Sequence, residues 1–476
     1  MGDLRHKQLC YTFRMFPKRM ICVVILAAVS TNACLLAAQT VAPTPPMGWN
    51  SWDAYGLTID EAQYRDNVKV LAGIEEFGWT YAVIDEGWYM ADPFTQTVAD
   101  RRYQFSDDGI QIPAANRFPS AANGAGFKPL ADWVHAQGLK FGIHIVRGIP
   151  REVVKKNMPI AGGEYHAADA ADLAATCPWD EGNYGVSDTP AGQAYYDAML
   201  KLYASWGLDY IKVDCISDHP YRPTEIRQIA LALKRSGRPI LLSLSPGPTA
   251  LEHGGEVAEH AQMWRISDDH WDVWHAEHKA GQGEFPFGLR DAFDRLAKWQ
   301  PYFRPGNWPD EDMLPFGSLT PNPGWGKPRQ SNYTHDEERT EMTLWAISRS
   351  PLILGANLTK LDEFTRSLIT NRTLLFMNQN ATYSRPVDAK DLPAGFENAR
   401  VWRATVGEAG SGNSTEFFGF FNLADTPVTL KAAWKQLGLE GGKRMMQDVW
   451  SDAPAKDAKD VSVTLPPHGS AVYEVK

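Results

Sequence analysis

Between Pro45 and about Pro351, short apolar runs alternate with longer stretches whose apolar positions recur every three or four residues. The short runs predict strands at Gly48–Trp52, Tyr81–Asp85, Lys140–His144, Tyr210–Val213, Ile240–Ser243, Met263–Arg265, Gly306–Trp308 and Leu352–Leu354. The longer stretches, among them Ile59–Phe77, Pro129–Gln137, Ala191–Trp206 and Thr224–Ser236, predict helices. In Ala191–Trp206 the residues Tyr195, Met199, Leu202, Tyr203 and Trp206 share one face, and Gly207 supplies a left-handed stop. Strands separated by helices predict an α/β fold, a parallel (β/α)8 TIM barrel over residues 39–378. Beyond Asn380 the apolar period shortens to two, as in Ala399–Thr405, Glu416–Phe421, Val428–Leu430 and Val461–Leu465. This predicts a C-terminal antiparallel β-sandwich over residues 379–476, serving to cap the barrel or to contact polysaccharide.

One connection breaks the rhythm. From His144 to Ala191 no strong period is present, and the segment holds Arg147, Pro150, Cys177, Trp179 and Tyr184. So long a loop is expected to be a lid or rim, or else an insertion with short helices of its own.

Several predicted strands end in polar residues: Asp85, His144, Asp214, Ser243 and Arg265. In a parallel barrel these ends converge on one face, where active sites form. Asp214 and Asp269 are the leading pair, each with a cation nearby, Lys212 and Arg265. Lys212 lies two residues from Asp214 on the same strand face and is expected to favour its anion. Two carboxylates whose environments push their pKa values apart are what glycoside cleavage requires. Asp268 is the rival of Asp269, and either acid has the option of a salt bridge to Arg265.

Composition narrows the class. With 476 residues and 44% hydrophobic positions the chain can bury a large core, and its net charge of −10 argues against nucleic acid as a partner. The 17 Trp mostly suit core filling, with several at strand ends placed to stack on sugars. A basic stretch ending at Lys18-Arg19 precedes the apolar run Met20–Val29, which is too short for a stable span. Residues 1–38 therefore read as a signal peptide and the protein as secreted or periplasmic, without a membrane span once the signal is removed. Cleavage before Cys34 to give a lipoprotein is the alternative. The mature chain keeps Cys177 and Cys215, either paired as a disulfide or serving as two small hydrophobes. No CxxC, HExxH or Cys/His cluster is present, and neither a metal nor a cofactor is expected.

The segment Pro45-Pro46-Met47-Gly48-Trp49-Asn50-Ser51-Trp52 resembles the opening barrel strand of glycoside hydrolase family 27, the α-galactosidase and α-N-acetylgalactosaminidase family. The similarity continues at Ile84-Asp85-Glu86-Gly87-Trp88, Lys212-Val213-Asp214-Cys215, Trp264-Arg265-Ile266-Ser267-Asp268-Asp269, Gly306–Leu314 and Leu344-Trp345-Ala346. The resemblance implies a retaining mechanism, no metal, Asp214 as nucleophile and Asp269 as acid/base. It implies sugar contacts from Trp52, Asp85, Glu86 and Lys212, with Arg265 near the second hydroxyl.

Three departures bear on substrate. Glu86 stands where α-galactosidases carry a second Asp, and its extra methylene reaches toward C6, a carbon that β-L-arabinopyranose lacks. Leu244 and Ser245 replace the usual Cys and Glu, and the small Ser245 resembles members that accept an N-acetyl group. His144 replaces a common Tyr and either bonds the 6-hydroxyl or orients Asp85, while Arg147 meets an acidic neighbouring sugar or a structural carboxylate. The expected activity is that of a retaining exo-acting α-galactosidase on an oligo- or polysaccharide. The alternatives are a β-L-arabinopyranosidase, another glycosidase of the family, or more remotely a non-catalytic sugar-binding protein. The oligomeric state is not legible.

Overall fold

The computed structural model describes residues 40–94, 101–277, 286–320, 327–408, 414–451 and 453–476. The expected signal, with Cys34, lies outside the described residues. Eight parallel strands form the barrel: β1 (Met47–Asn50), β2 (Tyr81–Ile84), β3 (Lys140–Val146), β4 (Tyr210–Asp214), β5 (Leu241–Leu244), β6 (Met263–Arg265), β7 (Trp308–Asp310) and β8 (Leu352–Leu354). Their order is β7-β6-β5-β4-β3-β2-β1-β8. The two ends of this sheet meet through Leu314, just beyond β7, which bridges in parallel to Leu354 of β8.

The strands read as short apolar runs because helices cover the outside and side chains fill the inside. β1 packs so tightly on β2 that a Cβ on Gly48 would stand 2.3 Å from the Tyr81 carbonyl oxygen. The seventh strand starts later than the apolar pattern suggests. Gly306, at φ +84°, belongs to a turn in which the Arg304 amide donates to the Asn307 carbonyl, so regular pairing begins at Trp308. The helix Pro190–Ser205 buries Tyr195, Met199 and Tyr203 as expected, and Gly207 follows at φ +93°.

The aperiodic connection after β3 is a folded insertion. Ile149–Pro150, Asn183–Val186 and Ala171–Thr176 form a three-stranded antiparallel sheet, with helices Arg151–Lys155 and Ala167–Ala170 between them. Strands this short carry no readable alternation; pairing between distant segments defines them. Arg147 anchors the insertion. It donates to the Cys215 carbonyl (2.6 Å), the Thr176 carbonyl (3.1 Å) and Glu225 Oε1 (2.8 Å), and both charged side chains are buried. Of its two expected roles, Arg147 takes the structural one. Cys177 and Cys215 form a disulfide with Cα atoms 6.0 Å apart, fastening the insertion to the end of β4.

The C-terminal part contains a six-stranded antiparallel sheet that begins with Ala381–Pro386 and a further pair, Val428–Ala433 with Asp460–Leu465. It rests on the barrel helix His335–Ser348. Thr340 Oγ1 donates to the His468 carbonyl (2.7 Å), and Trp450 Nε1 donates to Thr343 Oγ1 (3.0 Å). That helix is buried on nearly every side, which explains its weak amphipathic pattern. The capping role is the one this packing displays. Among the described residues no helix is long and apolar enough to cross a membrane.

Candidate active site

A cavity of about 280 Å³ opens at the C-terminal strand ends. Trp52, Asp85, Glu86, Lys212, Asp214, Ser245 and Asp269 all line it, so the barrel gathers residues from five strand ends into one space. His144 and Arg265 do not line it; both are buried behind the wall.

Asp85 and Lys212 form the most tightly held pair. Lys212 Nζ donates to Asp85 Oδ2 at 3.1 Å, and Asn50 Nδ2 donates to the same oxygen at 2.7 Å. The Glu86 amide donates to Oδ1 at 2.8 Å. Burial by itself would raise the Asp85 pKa. Lys212, His144, the Glu86 amide and Asn50 together outweigh it and hold the value down at about 2. Asp85 is therefore a fixed anion able to accept from sugar hydroxyls. Lys212 makes its ion pair with Asp85, while Asp214 is a more distant contributor to its raised pKa.

Asp214 ends β4 and has one local and one distant hydrogen-bond partner. The Cys215 amide donates to Oδ1 at 2.5 Å, from a residue held at φ +61°. His144 Nε2 lies 3.2 Å from Oδ2. Register explains the second contact: β3 pairs with β4 so that His144 stands opposite Lys212, bringing its ring beside the end of β4. His144 thus touches Asp214, a contact that neither of its expected roles named.

Asp269 lies just beyond β6 with 42% of its side chain exposed, against 16% for Asp214. Arg265 Nη2 donates to Asp269 Oδ1 at 3.3 Å and to Asp312 Oδ2 at 2.8 Å. It also donates to the Asp268 carbonyl at 2.7 Å. Arg265 is accordingly a clamp on the acidic wall. The salt bridge foreseen for one of the two acids falls to Asp269. Asp268 accepts from the Asp269 amide at 2.9 Å, and its pKa is raised by burial and then by the neighbouring Asp269.

Several cavity residues carried no role in the sequence reading. Asp312 and Met313 lie within the quoted Gly306–Leu314 segment, so the signal was present and unassigned. Burial, and after it the charge of Asp269, push Asp312 up to about 6 against the opposing pull of Arg265. Trp179 and Asp180 come from the insertion and Arg101 from the β2 connection, where no local pattern marked them. Arg101 Nη1 is 3.1 Å from Asp180 Oδ2 and 3.8 Å from Glu86 Oε1. Glu86 is buried, and burial followed by the Asp180 charge raises its pKa well above the usual range. Asp53, beside Trp52, is fully buried with neither carboxylate oxygen hydrogen-bonded; burial drives it toward the neutral acid.

Paired carboxylates in one small cavity at the C-terminal face of a parallel barrel define a glycoside hydrolase. A family model described as "Alpha galactosidase A" matches residues 171–380, and one described as "Alpha galactosidase C-terminal beta sandwich domain" matches residues 397–475. The crystal structure of a GH27 β-L-arabinopyranosidase from Geobacillus stearothermophilus is 39% identical, with a TM-score of 0.83, over 91% of this chain and 97% of that one. Alpha-galactosidase A of Cellvibrio japonicus is 29% identical over 74% of this chain and 71% of its own length. The alpha-galactosidase of Cyamopsis tetragonoloba is 26% identical over 92% of this chain and 87% of its own length. The chain belongs to glycoside hydrolase family 27.

Proposed function

We propose that the protein is a retaining, exo-acting α-galactosidase that removes terminal α-D-galactosyl residues by double displacement. Asp214 attacks the anomeric carbon as the glycosidic bond breaks, and Asp269 delivers its proton to the departing oxygen. Asp269 then takes a proton from water, whose oxygen displaces Asp214 from the glycosyl-enzyme. The carrying observation is that Asp214 and Asp269 line the same cavity in different settings, one hydrogen-bonded at a strand end and the other on the open side. The Asp85–Lys212 pair beside them offers a fixed anion and cation to ring hydroxyls, which suits recognition of a single terminal sugar.

One observation favours a second reading, β-L-arabinopyranosidase. Glu86 fills the place of a shorter acid and is itself walled by Arg101 and Asp180, which narrows the space for a C6 hydroxymethyl group. The Geobacillus neighbour points the same way. A panel of p-nitrophenyl α-D-galactopyranoside, β-L-arabinopyranoside and α-N-acetylgalactosaminide tests both, with proton NMR of the first-formed anomer from the best substrate. Inverted configuration, or binding without turnover on every sugar, rejects the proposal. If Glu86 excludes C6, Glu86→Asp raises the galactoside-to-arabinoside ratio of kcat/KM by about 10-fold or more, within the range one methylene commands. An unchanged ratio rejects that role. Export accompanies this reading, since the Cys177–Cys215 disulfide suits an oxidising compartment. Mass analysis of the mature N-terminus checks it.

A further inference from the structure

Beside the sugar cavity lies an open groove of about 860 Å³, and Arg101 lines both. A short piece of the insertion spans the two: Trp179 and Asp180 face the sugar cavity, while Glu181, Gly182 and Tyr184 face the groove. Three arginines and two lysines line the groove against two glutamates, in a chain whose net charge is −10. The local surplus of positive charge thus opposes the sign of the whole molecule.

Arg101 is committed to Asp180 and Glu86, whereas Arg151, Lys155 and Lys156 are only weakly engaged. Arg151 lies over the Tyr184 ring at 4.9 Å, and its Nη1 is a long 3.7 Å from Glu181. Its buried Nε has no hydrogen-bond partner. Lys156 meets Glu152 at 2.6 Å, but this pair is solvent-exposed and correspondingly weak. Lys155 is exposed and makes no ion pair among the described residues. Leu173, 62% exposed, adds an apolar contact on the same wall. A planar guanidinium, lysines and an apolar side chain lining one groove are a setting for a sugar ring bearing a carboxylate.

We infer that this groove receives an anionic sugar of the leaving chain, so that the substrate is a terminal glycosyl unit carried on a uronate-containing saccharide. The inference rests on the glycosidase reading above and specifies the other side of the scissile bond. The leaving chain departs past the exposed Asp269 and the rim residue Trp179, itself 37% exposed, and crosses the Trp179–Tyr184 segment into the groove. There Arg151, Lys155 and Lys156 meet its carboxylate.

The test compares two disaccharides of the same linkage and the same terminal sugar, one with glucuronate in the neighbouring position and one with glucose. For the wild-type enzyme at low ionic strength, kcat/KM for the uronate is expected to exceed that for glucose on the order of tenfold, the sum of a few exposed ion pairs. The ratio should fall toward one in about 0.5 M salt, where exposed charges are screened. It should fall likewise in Arg151→Gln/Lys155→Gln/Lys156→Gln. A wild-type ratio of one at low salt, or a preference that salt leaves intact, overturns the inference. Because the salt series uses the unmodified enzyme, it decides even if the triple variant folds poorly. A sulfated counterpart preferred over the uronate overturns the carboxylate assignment. The two readings fail separately: no turnover of either disaccharide or of any p-nitrophenyl glycoside rejects the glycosidase reading, whereas turnover without charge preference rejects only the groove.

Discussion

Replacing Arg147 by Met tests whether this cation is structural. Met keeps much of the side-chain length while removing the charge and all three hydrogen bonds. Arg147 and Glu225 are 1% and 5% exposed, so the substitution leaves a buried carboxylate whose remaining side-chain partner is the Tyr196 hydroxyl at 2.6 Å. Breaking a buried pair in this way costs about 3–5 kcal/mol. With an unfolding entropy of about 2.1 cal/mol/K per residue, the chain gains about 1 kcal/mol/K, so the midpoint should fall by about 3–5 °C. The loss should also depend on pH. Burial raises the Glu225 pKa, and Arg147 is the largest influence opposing that rise. Without Arg147 the folded-state pKa climbs further, and the folded protein keeps a proton that the unfolded chain releases. Stability is then retained below the unfolded carboxylate pKa and lost as pH rises toward the folded value. Calorimetry should therefore find a larger drop at pH 8 than at pH 5. An unchanged midpoint, or an equal drop at both pH values, would refute the reasoning. A selective rise of KM on an acidic saccharide without destabilisation would give Arg147 back a role in sugar binding.

Asp269→Asn should lower kcat/KM by about 10²–10⁴ on a sugar leaving group and far less on p-nitrophenyl glycosides, whose leaving group needs little protonation. Asp268→Asn should do neither, and a reversed pattern would transfer the acid role to Asp268. His144→Ala removes the 3.2 Å contact to Asp214. A hydrogen bond to a charged group is worth about 1.5–3 kcal/mol, so kcat should fall about 10–100-fold. If KM alone moves, His144 contacts sugar instead. Cys177→Ser opens a cross-link between residues separated by 38 positions, which the chain-entropy relation values at about 4 kcal/mol. Denaturant unfolding with and without reductant checks this, and equal midpoints would reject it.

Regular structure was legible because its cause is local. An apolar run bounded by turn residues makes a barrel strand wherever it lies, and β1 through β6 fall within a residue or two of the expected runs. The helix ending before Gly207 and the period-two strands of the C-terminal sheet follow from the same reasoning. Barrel closure then brings strand ends together, so Asp85, Asp214, Ser245 and Asp269 could be grouped without coordinates. Which partner each side chain takes was not legible, because it depends on register between distant segments. Lys212 chooses Asp85 across a separation of 127 residues, and His144 reaches Asp214 across 70. Arg265 turns inward to Asp269 and Asp312 because the buried acidic wall needs a counter-charge. Trp179 and Asp180 enter the site because a disulfide, a buried ion pair and paired short strands fold an aperiodic segment over the barrel mouth, and Arg101 of the β2 connection meets that segment through its ion pair with Asp180. Periodicity determines an element, but a side chain's environment is a sum over neighbours that the order of residues along the chain does not bring near.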